Sequence, residues 1–390
     1  MNDKNPKITA QLLTRTSYPH LFSARSIGPV RLRNRVAVAP MTRTSATADG
    51  RATEKMVQYY ASFARGGFGL IITEGTYTDE THSQGYAHQP GIANQAQAIA
   101  WRAVADAVHT AGAPIFVQLM HAGALAQANR FRNETIAPSA IKPRGQQLSL
   151  YGGSGYYPMP RGITPEEIKE VIEGVASAAA RAREVGFDGI ELHGANGYLI
   201  DQFLTDYTNR RVDEYGGSTR NRMRFAVEVL RAVRQVVGPN YPVGIRISQS
   251  KVNDPSHQWA GGEADATVIF RSLVESGADF IHVTGRDATE PAFGSGATLA
   301  ALAKRRGGVL VIANGKLEEP RGAEALLEAQ EADIVSLARS ALANTDWPNR
   351  VAQGRPLEPF NYAMLQPRAT LDNAEEWRKS AQVASSGERR

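Results

Sequence analysis

The stretch Thr164–His193 reads TPEEIKEVIEGVASAAARAREVGFDGIELH and combines the signals of one helix and one strand. Thr164 is a typical N-cap residue, Pro165 suits the first helical position, and Glu167 completes a capping box. Apolar residues then recur at helical spacing and form one face that can pack on a sheet: Ile168, Val171, Ile172, Val175 and Ala179. This segment therefore predicts a helix over residues 165–185 that leads into a buried strand.

The same unit recurs along most of the chain. Eight short apolar segments are typical of strands buried on both faces: Arg35–Ala39, Gly69–Glu74, Ile115–Leu119, Gly189–His193, Val243–Ile247, Phe280–Thr284, Val309–Ala313 and Ile334–Leu337. Amphipathic segments alternate with them near 54–65, 95–111, 165–185, 219–237, 265–276, 297–306 and 320–329, and another follows Ser340. Eight such repeats without a flexible linker favour an α/β protein with a single (β/α)8 TIM barrel, as one domain over residues 1–377.

Two regions depart from this rhythm. Residues 122–163 form a long insertion after the third strand, rich in glycine, proline and tyrosine, and we expect it to act as a lid or a substrate wall. The conformation of this insertion cannot be read from its composition. The tail over residues 378–390 is polar, and we expect it to be disordered.

The amino-acid composition argues against several classes of function. The chain has 390 residues, a net charge of +5 without long runs of one sign, and no cysteine. Interspersed charges do not indicate nucleic-acid or membrane binding, and a cysteine-free chain holds no disulfide, cysteine-ligated iron–sulfur cluster or thiolate nucleophile. The N-terminus lacks the apolar core of a secretory signal, and no segment is long and apolar enough to span a bilayer. We therefore expect a cytoplasmic protein.

Polar residues follow nearly every predicted strand. In a (β/α)8 barrel the carboxyl ends of the strands meet on one face, where active sites are built. The residues at these ends are Thr42, Glu74, Gly75, Gln118, His121, His193, Asn196, Tyr198, Arg246, Gln249, Asn314, Gly315 and Arg339. Any one of them could be a core or capping residue, but their coincidence at strand ends predicts a site on this face.

The last two strands end in segments that fit a phosphate group. Asn314-Gly315 and Ala338-Arg339 place small residues next to helix starts, at the position where barrels commonly bind phosphate. Backbone N–H groups and the guanidinium of Arg339 would hold the dianion. Two tight strand-to-helix turns are the structural alternative.

The order of the motifs resembles the Old Yellow Enzyme family, also described as NADH:flavin oxidoreductases or FMN-dependent ene-reductases. The resemblance covers residues 20–350 and is carried by Leu32–Arg43, Ile72–Gly75, Gln118–Gly123, Glu191–Leu204, Arg211–Ser218, Val243–Ser248 and the two phosphate segments. It implies a (β/α)8 barrel that binds FMN non-covalently and takes electrons from NADH or NADPH.

The resemblance also implies roles for the cofactor-binding residues. Thr42 would hydrogen-bond flavin O4, Gln118 would pair with the pyrimidine edge, and Arg246 would lie against N1 and O2, where negative charge collects on reduction. The backbone around Pro40, Met41 and Gly75 would frame the ring. The loops that contain Asn314, Gly315, Ala338 and Arg339 would hold the phosphate; Ala338 stands where the family usually has glycine.

The reaction implied by the resemblance is reduction of an activated C=C bond in an enone, enal or nitroalkene. His193 and Asn196 would hydrogen-bond the carbonyl or nitro oxygen and make the β-carbon electrophilic. Hydride would arrive from flavin N5, and Tyr198 would donate a proton to the α-carbon as a general acid.

Several alternatives remain open at the level of sequence. The same site could work as a desaturase or as an NAD(P)H oxidase with O2, and a third reading is a non-catalytic FMN-binding protein. A metal-dependent barrel hydrolase is disfavoured because the eight histidines include no His-x-His pair. The sequence does not decide between NADH and NADPH, identify the physiological substrate, or distinguish a monomer from a homo-oligomer.

Overall fold

The computed structural model describes the backbone of residues 17–387 and the side chains of residues 17–380. The strands are β1 Arg25–Ile27, β2 Val30–Leu32, β3 Val36–Val38, β4 Leu70–Tyr77, β5 Ile115–Met120, β6 Ile136–Ala137, β7 Arg161–Gly162, β8 Gly189–Asn196, β9 Val243–Lys251, β10 Phe280–Thr284, β11 Leu310–Asn314 and β12 Ile334–Leu337. Eight of them are parallel and form a closed barrel in the order β3-β4-β5-β8-β9-β10-β11-β12, and β12 pairs with β3 through Val335 and Val36 to close it. The predicted (β/α)8 barrel is confirmed.

Helices surround the barrel and begin at the end of the strands where the loops of the site lie. They are α1 Glu54–Arg65, α2 Gln95–Thr110, α3 Pro165–Glu184, α4 Leu199–Leu204, α5 Thr219–Arg222, α6 Arg224–Val237, α7 Gly262–Glu275, α8 Leu299–Gly307, α9 Pro320–Glu328, α10 Arg339–Ala343, α11 Trp347–Ala352 and α12 Leu371–Gly387. Among the described residues, no helix combines the length and apolar character needed to cross a membrane.

The capping box predicted for α3 is present. The Thr164 hydroxyl accepts the backbone N–H of Glu167, while the Glu167 carboxylate accepts the backbone N–H of Thr164. Both bonds satisfy N–H groups that a helix start leaves without partners. The apolar stripe then packs inward, with Ile168, Val171 and Val175 buried, so the local signals and the packing of this helix agree.

The barrel has a core at its amino-terminal end that the strand pattern did not reveal. The antiparallel hairpin of β1 and β2 contributes Ile27 and Leu32 to a buried cluster with Phe116, Phe280 and Ile334. These aromatic and aliphatic residues lie near the starts of their strands, so the hairpin closes the end opposite the loops. Because the amino-terminal end of the barrel is closed and packed, the open face lies at the carboxyl ends of the strands.

Three elements differ from their predicted form. The helix predicted over 219–237 is divided at Met223 into α5 and α6, and the Ser218 hydroxyl caps α5 by accepting the N–H of Asn221 at 3.3 Å. The insertion 122–163 contains the short parallel pair of β6 and β7. The tail predicted to be disordered over 378–390 is helical as far as Gly387, because α12 continues beyond Trp377; residues 388–390 lie outside the described residues.

Candidate functional site

A cavity of about 540 Å³ opens at the carboxyl ends of the barrel strands. It is lined by eleven of the residues predicted from the sequence: Pro40, Met41, Thr42, Gly75, Gln118, His193, Asn196, Tyr198, Arg246, Ala338 and Arg339. These residues come from six different strands or the loops that follow them. Closure of the barrel therefore brings together side chains that are almost 300 positions apart in the chain.

A second cavity of about 880 Å³ adjoins the first across Ala338 and Arg339. It is lined by the ends of β11 and β12, including the predicted Asn314 and Gly315. Gly315 has φ +137°, and a Cβ there would lie 2.5 Å from the carbonyl oxygen of Gly285, so only glycine fits. The Ser340 hydroxyl is buried without a protein partner among the described residues. A close backbone approach and an unpaired hydroxyl beside a guanidinium suit a bound anion.

A polar network crosses the barrel interior below the first cavity. The buried Glu191 accepts hydrogen bonds from Gln118 Nε2 at 2.8 Å and pairs with His282 Nδ1 at 2.7 Å. His282 Nε2 lies 2.8 Å from Ser336 Oγ. With its amide nitrogen engaged by Glu191, Gln118 has its amide oxygen left as an acceptor for a ligand N–H.

Arg246 is the cation at the base of the cavity. Its guanidinium donates to Asn314 Oδ1 at 2.8 Å, while its Nε is buried without a partner among the described residues. Burial lowers the pKa of Arg246 to about 10, with the Glu191 carboxylate opposing the shift, so the guanidinium stays charged at neutral pH. The Asn314 side chain also accepts from Thr284 and donates to the Ser336 carbonyl, so this amide positions Arg246.

His193, Asn196 and Tyr198 lie together on one wall of the cavity, along the end of β8. The rings of His193 and Tyr198 are 4.9 Å apart, and His193 Nδ1 has no protein partner in the described part of the chain. Burial, with Arg246 nearby, lowers the pKa of His193 well below its usual value, which keeps the imidazole neutral. Asn196 has φ +64°, a conformation that asparagine tolerates better than most residues.

The acid form of Tyr198 is favoured by its surroundings. Burial raises the pKa of the Tyr198 phenol, and Tyr151 raises it further. The hydrogen bond with Tyr86 and the charge of Arg246 lower it. Tyr198 is therefore protonated at neutral pH and can donate a proton to a ligand in the cavity.

Glu74 shapes the loop that contains Thr42. Its Oε2 accepts the backbone N–H groups of Arg43 at 2.8 Å and Thr44 at 3.3 Å, and Tyr60 donates to its Oε1. Burial raises the pKa of Glu74 to about 7, although the N–H of Arg43 and its charge oppose the shift. The carboxylate thus holds the turn after β3 in one conformation at the cavity wall.

The structure adds residues that the sequence reasoning did not assign. The Tyr86 hydroxyl lies 2.5 Å from the Tyr198 hydroxyl, and the Tyr86 ring is 4.7 Å from that of Tyr151. Tyr151 belongs to the insertion and lines the cavity together with Thr42. Burial raises the pKa of Tyr151 to about 12. The tyrosine-rich composition of the insertion was the available signal for Tyr151, but nothing near Tyr86 in the sequence pointed to its contact with Tyr198.

Together these features define a class of protein. It is a (β/α)8 barrel whose open face combines a polar cavity lined by a cation and aromatic residues with an adjoining anion-binding loop. Such a pair of cavities suits a flat, phosphorylated cofactor with a second ligand beside it.

Comparison with known proteins identifies the family. Residues 20–358 match the model of the NADH:flavin oxidoreductase / NADH oxidase family. The chain belongs to this family, which includes Old Yellow Enzyme. Members of the family use FMN and a nicotinamide reductant.

Curated relatives agree with this assignment. The NADH oxidase of Thermoanaerobacter brockii is 36% identical over 352 residues, which cover 88% of this chain and 52% of the relative. The chain thus spans about half the length of that protein, and likewise 49% of the metal reductase of Desulforamulus reducens. The chanoclavine-I aldehyde reductase fgaOx3 of Penicillium roqueforti is 35% identical, with 94% of this chain and 99% of the relative covered.

Solved structures share the fold over nearly their whole length. The Old Yellow Enzyme homologue of Zymomonas mobilis superposes with a TM-score of 0.82 at 31% identity, covering 91% of this chain and 99% of its own. Morphinone reductase in complex with tetrahydroNAD gives a TM-score of 0.80 at 33% identity, covering 89% of this chain and 94% of its own.

The residues present fit FMN. Three buried polar atoms at the two cavities, His193 Nδ1, Arg246 Nε and Ser340 Oγ, have no protein partner among the described residues. Unpaired buried polar groups are costly in a folded protein, so a ligand or water must satisfy them. Gly315 leaves the space for backbone to approach a phosphate, which matches the anionic end of this cofactor.

Proposed function

We propose that this protein is an FMN-dependent ene-reductase that uses NADH or NADPH to reduce an activated alkene, such as an enone, enal or nitroalkene. The observation that carries the proposal is the convergence of His193, Asn196 and Tyr198 on one cavity wall beside Arg246. A carbonyl-binding pair, a phenolic acid and a buried cation are the groups that this reduction requires. The probable flavin mononucleotide-dependent alkene reductase of Leishmania infantum and morphinone reductase in complex with tetrahydroNAD support the same interpretation.

The cofactor would occupy both cavities. Gln118 would accept a hydrogen bond from the pyrimidine edge, Arg246 would lie against its anionic side, and Thr42 would donate to O4. Pro40, Met41 and Gly75 would frame the ring. In the second cavity, the loops of Asn314, Gly315, Ala338 and Arg339 would hold the phosphate. When bound, FMN supplies hydride transfer from the nicotinamide to the alkene.

The protein side chains would prepare the alkene for that transfer. The neutral imidazole of His193 and the amide of Asn196 would donate to the carbonyl or nitro oxygen, which withdraws electrons from the β-carbon. A neutral imidazole suits this role because it hydrogen-bonds the oxygen without adding a buried charge. Tyr198 would then transfer its hydroxyl proton to the α-carbon, and water would return a proton to the phenolate after product release.

The test separates the two half-reactions by stopped-flow absorbance. The purified protein should be yellow and should release FMN, not FAD. Tyr198→Phe is expected to slow oxidation of the reduced protein by 2-cyclohexenone by about a hundredfold or more, because general acid catalysis contributes at least this much. Reduction by NADH or NADPH should remain near the wild-type rate. Equal losses in both half-reactions would contradict the role of Tyr198.

The same experiment distinguishes the alternative functions. Wild-type protein that is reoxidised by O2 but not by 2-cyclohexenone would indicate an oxidase. A reduced protein that neither reagent reoxidises at a useful rate would indicate a non-catalytic flavoprotein. Enones, nitroalkenes and maleimides compared as oxidants would then rank the substrate classes.

A further inference from the structure

The hydroxyls of Tyr86 and Tyr198 form a hydrogen bond whose direction matters for catalysis. Their oxygens are 2.5 Å apart, and either could be the donor by distance alone. Each phenol has one proton, so the group that donates within the pair has none left for another acceptor. If Tyr198 donated to Tyr86, its proton would be directed away from the cavity.

The surroundings of the two tyrosines differ. Tyr198 lines the cavity, whereas Tyr86 does not. Both side chains are buried in one cluster with Met120, Ala122, Leu125, Ala126 and Tyr157, and Tyr151 packs against it. Within the described residues, Tyr198 is the one hydrogen-bond partner of the Tyr86 hydroxyl. The neighbouring Tyr157 hydroxyl is engaged elsewhere, because it donates to Gln127 Oε1 at 3.4 Å.

This asymmetry decides the direction of the bond. If Tyr198 were the donor, the Tyr86 proton would be buried without an acceptor. If Tyr86 is the donor, its proton is bound by the Tyr198 oxygen and the Tyr198 proton can face the cavity. A buried donor without a partner is costly enough to favour the second arrangement by about tenfold or more. The hydrogen bond therefore runs from Tyr86 to Tyr198.

We propose that Tyr86 is a positioning residue that donates its hydroxyl to the Tyr198 oxygen and so directs the Tyr198 proton into the cavity. This inference rests on the proposed function of Tyr198 as proton donor. During transfer, the Tyr198 O–H bond breaks and a C–H bond forms at the substrate α-carbon. The Tyr86 O–H bond stays intact and stabilises the phenolate that Tyr198 becomes.

Tyr86 is held in place for this role. Gln89 Oε1 accepts the backbone N–H groups of Gly85 and Tyr86, and Gln89 Nε2 donates to the carbonyl of Gly75 at 2.7 Å. Gln84 Nε2 donates to the Tyr86 carbonyl. These bonds fix the Tyr86 turn to the end of β4, so the donor does not have to be ordered when the substrate binds.

The charged and titratable groups around the pair are consistent with a Tyr198 phenolate that is stabilised on the side away from the cavity. Arg246 favours ionisation of Tyr198, while Tyr151 and Tyr157 disfavour it, and the neutral ring of His193 lies beside it. Among the residues that the structure describes, Tyr86 is the one neighbour whose hydroxyl hydrogen-bonds the Tyr198 oxygen.

The experiment uses the FMN-loaded protein and four variants: Tyr86→Phe, Tyr198→Phe, the double variant, and Tyr157→Phe as control. Tyr157 is a matched control because it belongs to the same buried cluster and its hydroxyl bonds Gln127 instead of Tyr198. Phenylalanine retains the ring in each case and removes only the hydroxyl. Stopped-flow absorbance measures reduction by NADH and reoxidation by 2-cyclohexenone separately.

Tyr86→Phe is expected to slow reoxidation by the enone by about tenfold or more, because a hydrogen bond to a charged group is lost. Reduction by NADH and the flavin spectrum should be unchanged, and the solvent deuterium isotope effect on reoxidation should increase. Tyr157→Phe should behave as wild type. In the Tyr198→Phe background, Tyr86→Phe should have no further effect, since Tyr86 acts through Tyr198.

Three results would overturn the inference. If Tyr86→Phe is reoxidised at the wild-type rate while Tyr198→Phe is slow, the role of Tyr86 is contradicted and the role of Tyr198 stands. Additive losses in the double variant would show that Tyr86 affects the site by another route. Tyr198→Phe at the wild-type rate would instead refute the proposed proton donor, and the role of Tyr86 with it.

Discussion

A buried ion pair next to the cavity wall of His193, Asn196 and Tyr198 gives a quantitative test of the structure. Lys251 Nζ lies 2.6 Å from Asp201 Oδ1, and their side chains are 2% and 0% exposed. Asp201 Oδ2 also accepts the backbone N–H of Gly197 at 2.7 Å, next to Tyr198. The pair thus joins the end of β9 to the turn after β8.

We expect Lys251→Met to lower the free energy of unfolding by about 3–5 kcal/mol, because it leaves an uncompensated buried carboxylate. Asp201→Asn combined with Lys251→Met should recover most of this loss. The amide oxygen can still accept the N–H of Gly197, and an uncharged pair carries no comparable desolvation penalty. The single variant and the double variant therefore separate the cost of the charge from the cost of lost packing.

The loss of unfolding free energy caused by Lys251→Met should also depend on pH. Burial raises the pKa of Asp201 in the folded protein, and Lys251 opposes this shift. Without Lys251 the folded-state pKa rises further, so the native state holds a proton that the unfolded state releases. Stability is then lost as pH rises from the pKa of Asp201 in the unfolded chain through its pKa in the folded protein. The loss of unfolding free energy in Lys251→Met should therefore be larger at about pH 8 than at about pH 5.

Urea unfolding followed by far-UV circular dichroism measures these differences. All proteins should be compared at one fixed FMN concentration, because a ligand that binds only the folded state adds stability. Lys379→Met, which removes the exposed partner of Glu375 in α12, is the control and should stay near wild type. A loss below about 1 kcal/mol for Lys251→Met, or a double variant no better than the single one, would refute the reasoning.

Three further predictions concern the cofactor, the ligand and pH. Gly315→Ala should weaken FMN binding by about tenfold or more in a fluorescence titration, because its Cβ would lie 2.5 Å from the Gly285 carbonyl and displace the loop. Gly308→Ala, also at positive φ but with open space around its Cβ, should leave FMN affinity unchanged; equal losses would contradict the steric argument. His193→Ala should weaken or abolish the long-wavelength absorption band expected when a phenol binds over oxidised flavin, and an unaltered titration would exclude His193 as the anion-binding group. Glu74 has a folded pKa of about 7, above its unfolded value, so its ionisation costs stability as pH rises. The unfolding free energy of wild type relative to Glu74→Gln should therefore fall by up to about 3 kcal/mol between about pH 5 and pH 8, and a pH-independent difference would contradict the assignment.

The site illustrates why strand-end residues were predictable as a set. In a parallel barrel every strand ends on the same face, so the order of the motifs is sufficient to bring Thr42, Gln118, His193 and Arg246 together. That rule does not predict which groups each side chain binds. The loop of Asn314 stays a predicted phosphate contact, but nothing in the sequence indicated that the Asn314 side chain binds Arg246, Thr284 and the Ser336 carbonyl.

The sequence by itself determined the features that depend on near neighbours in the chain. The capping box of α3 and the alternation of strands and helices are short-range patterns, since they arise from backbone geometry over a few residues. The last helix is the exception: the polar composition after Trp377 indicated disorder, whereas α12 runs to Gly387.

Only the tertiary structure decided which distant side chains meet. Tyr86 and Tyr198 are 112 residues apart, and Gln118, Glu191 and His282 form one network although they belong to three different strands. Their contacts depend on barrel closure and on the path of the insertion, and neither is encoded in a local pattern. Burial then sets the pKa of each group and the direction of each hydrogen bond, because both depend on which groups surround a side chain in three dimensions.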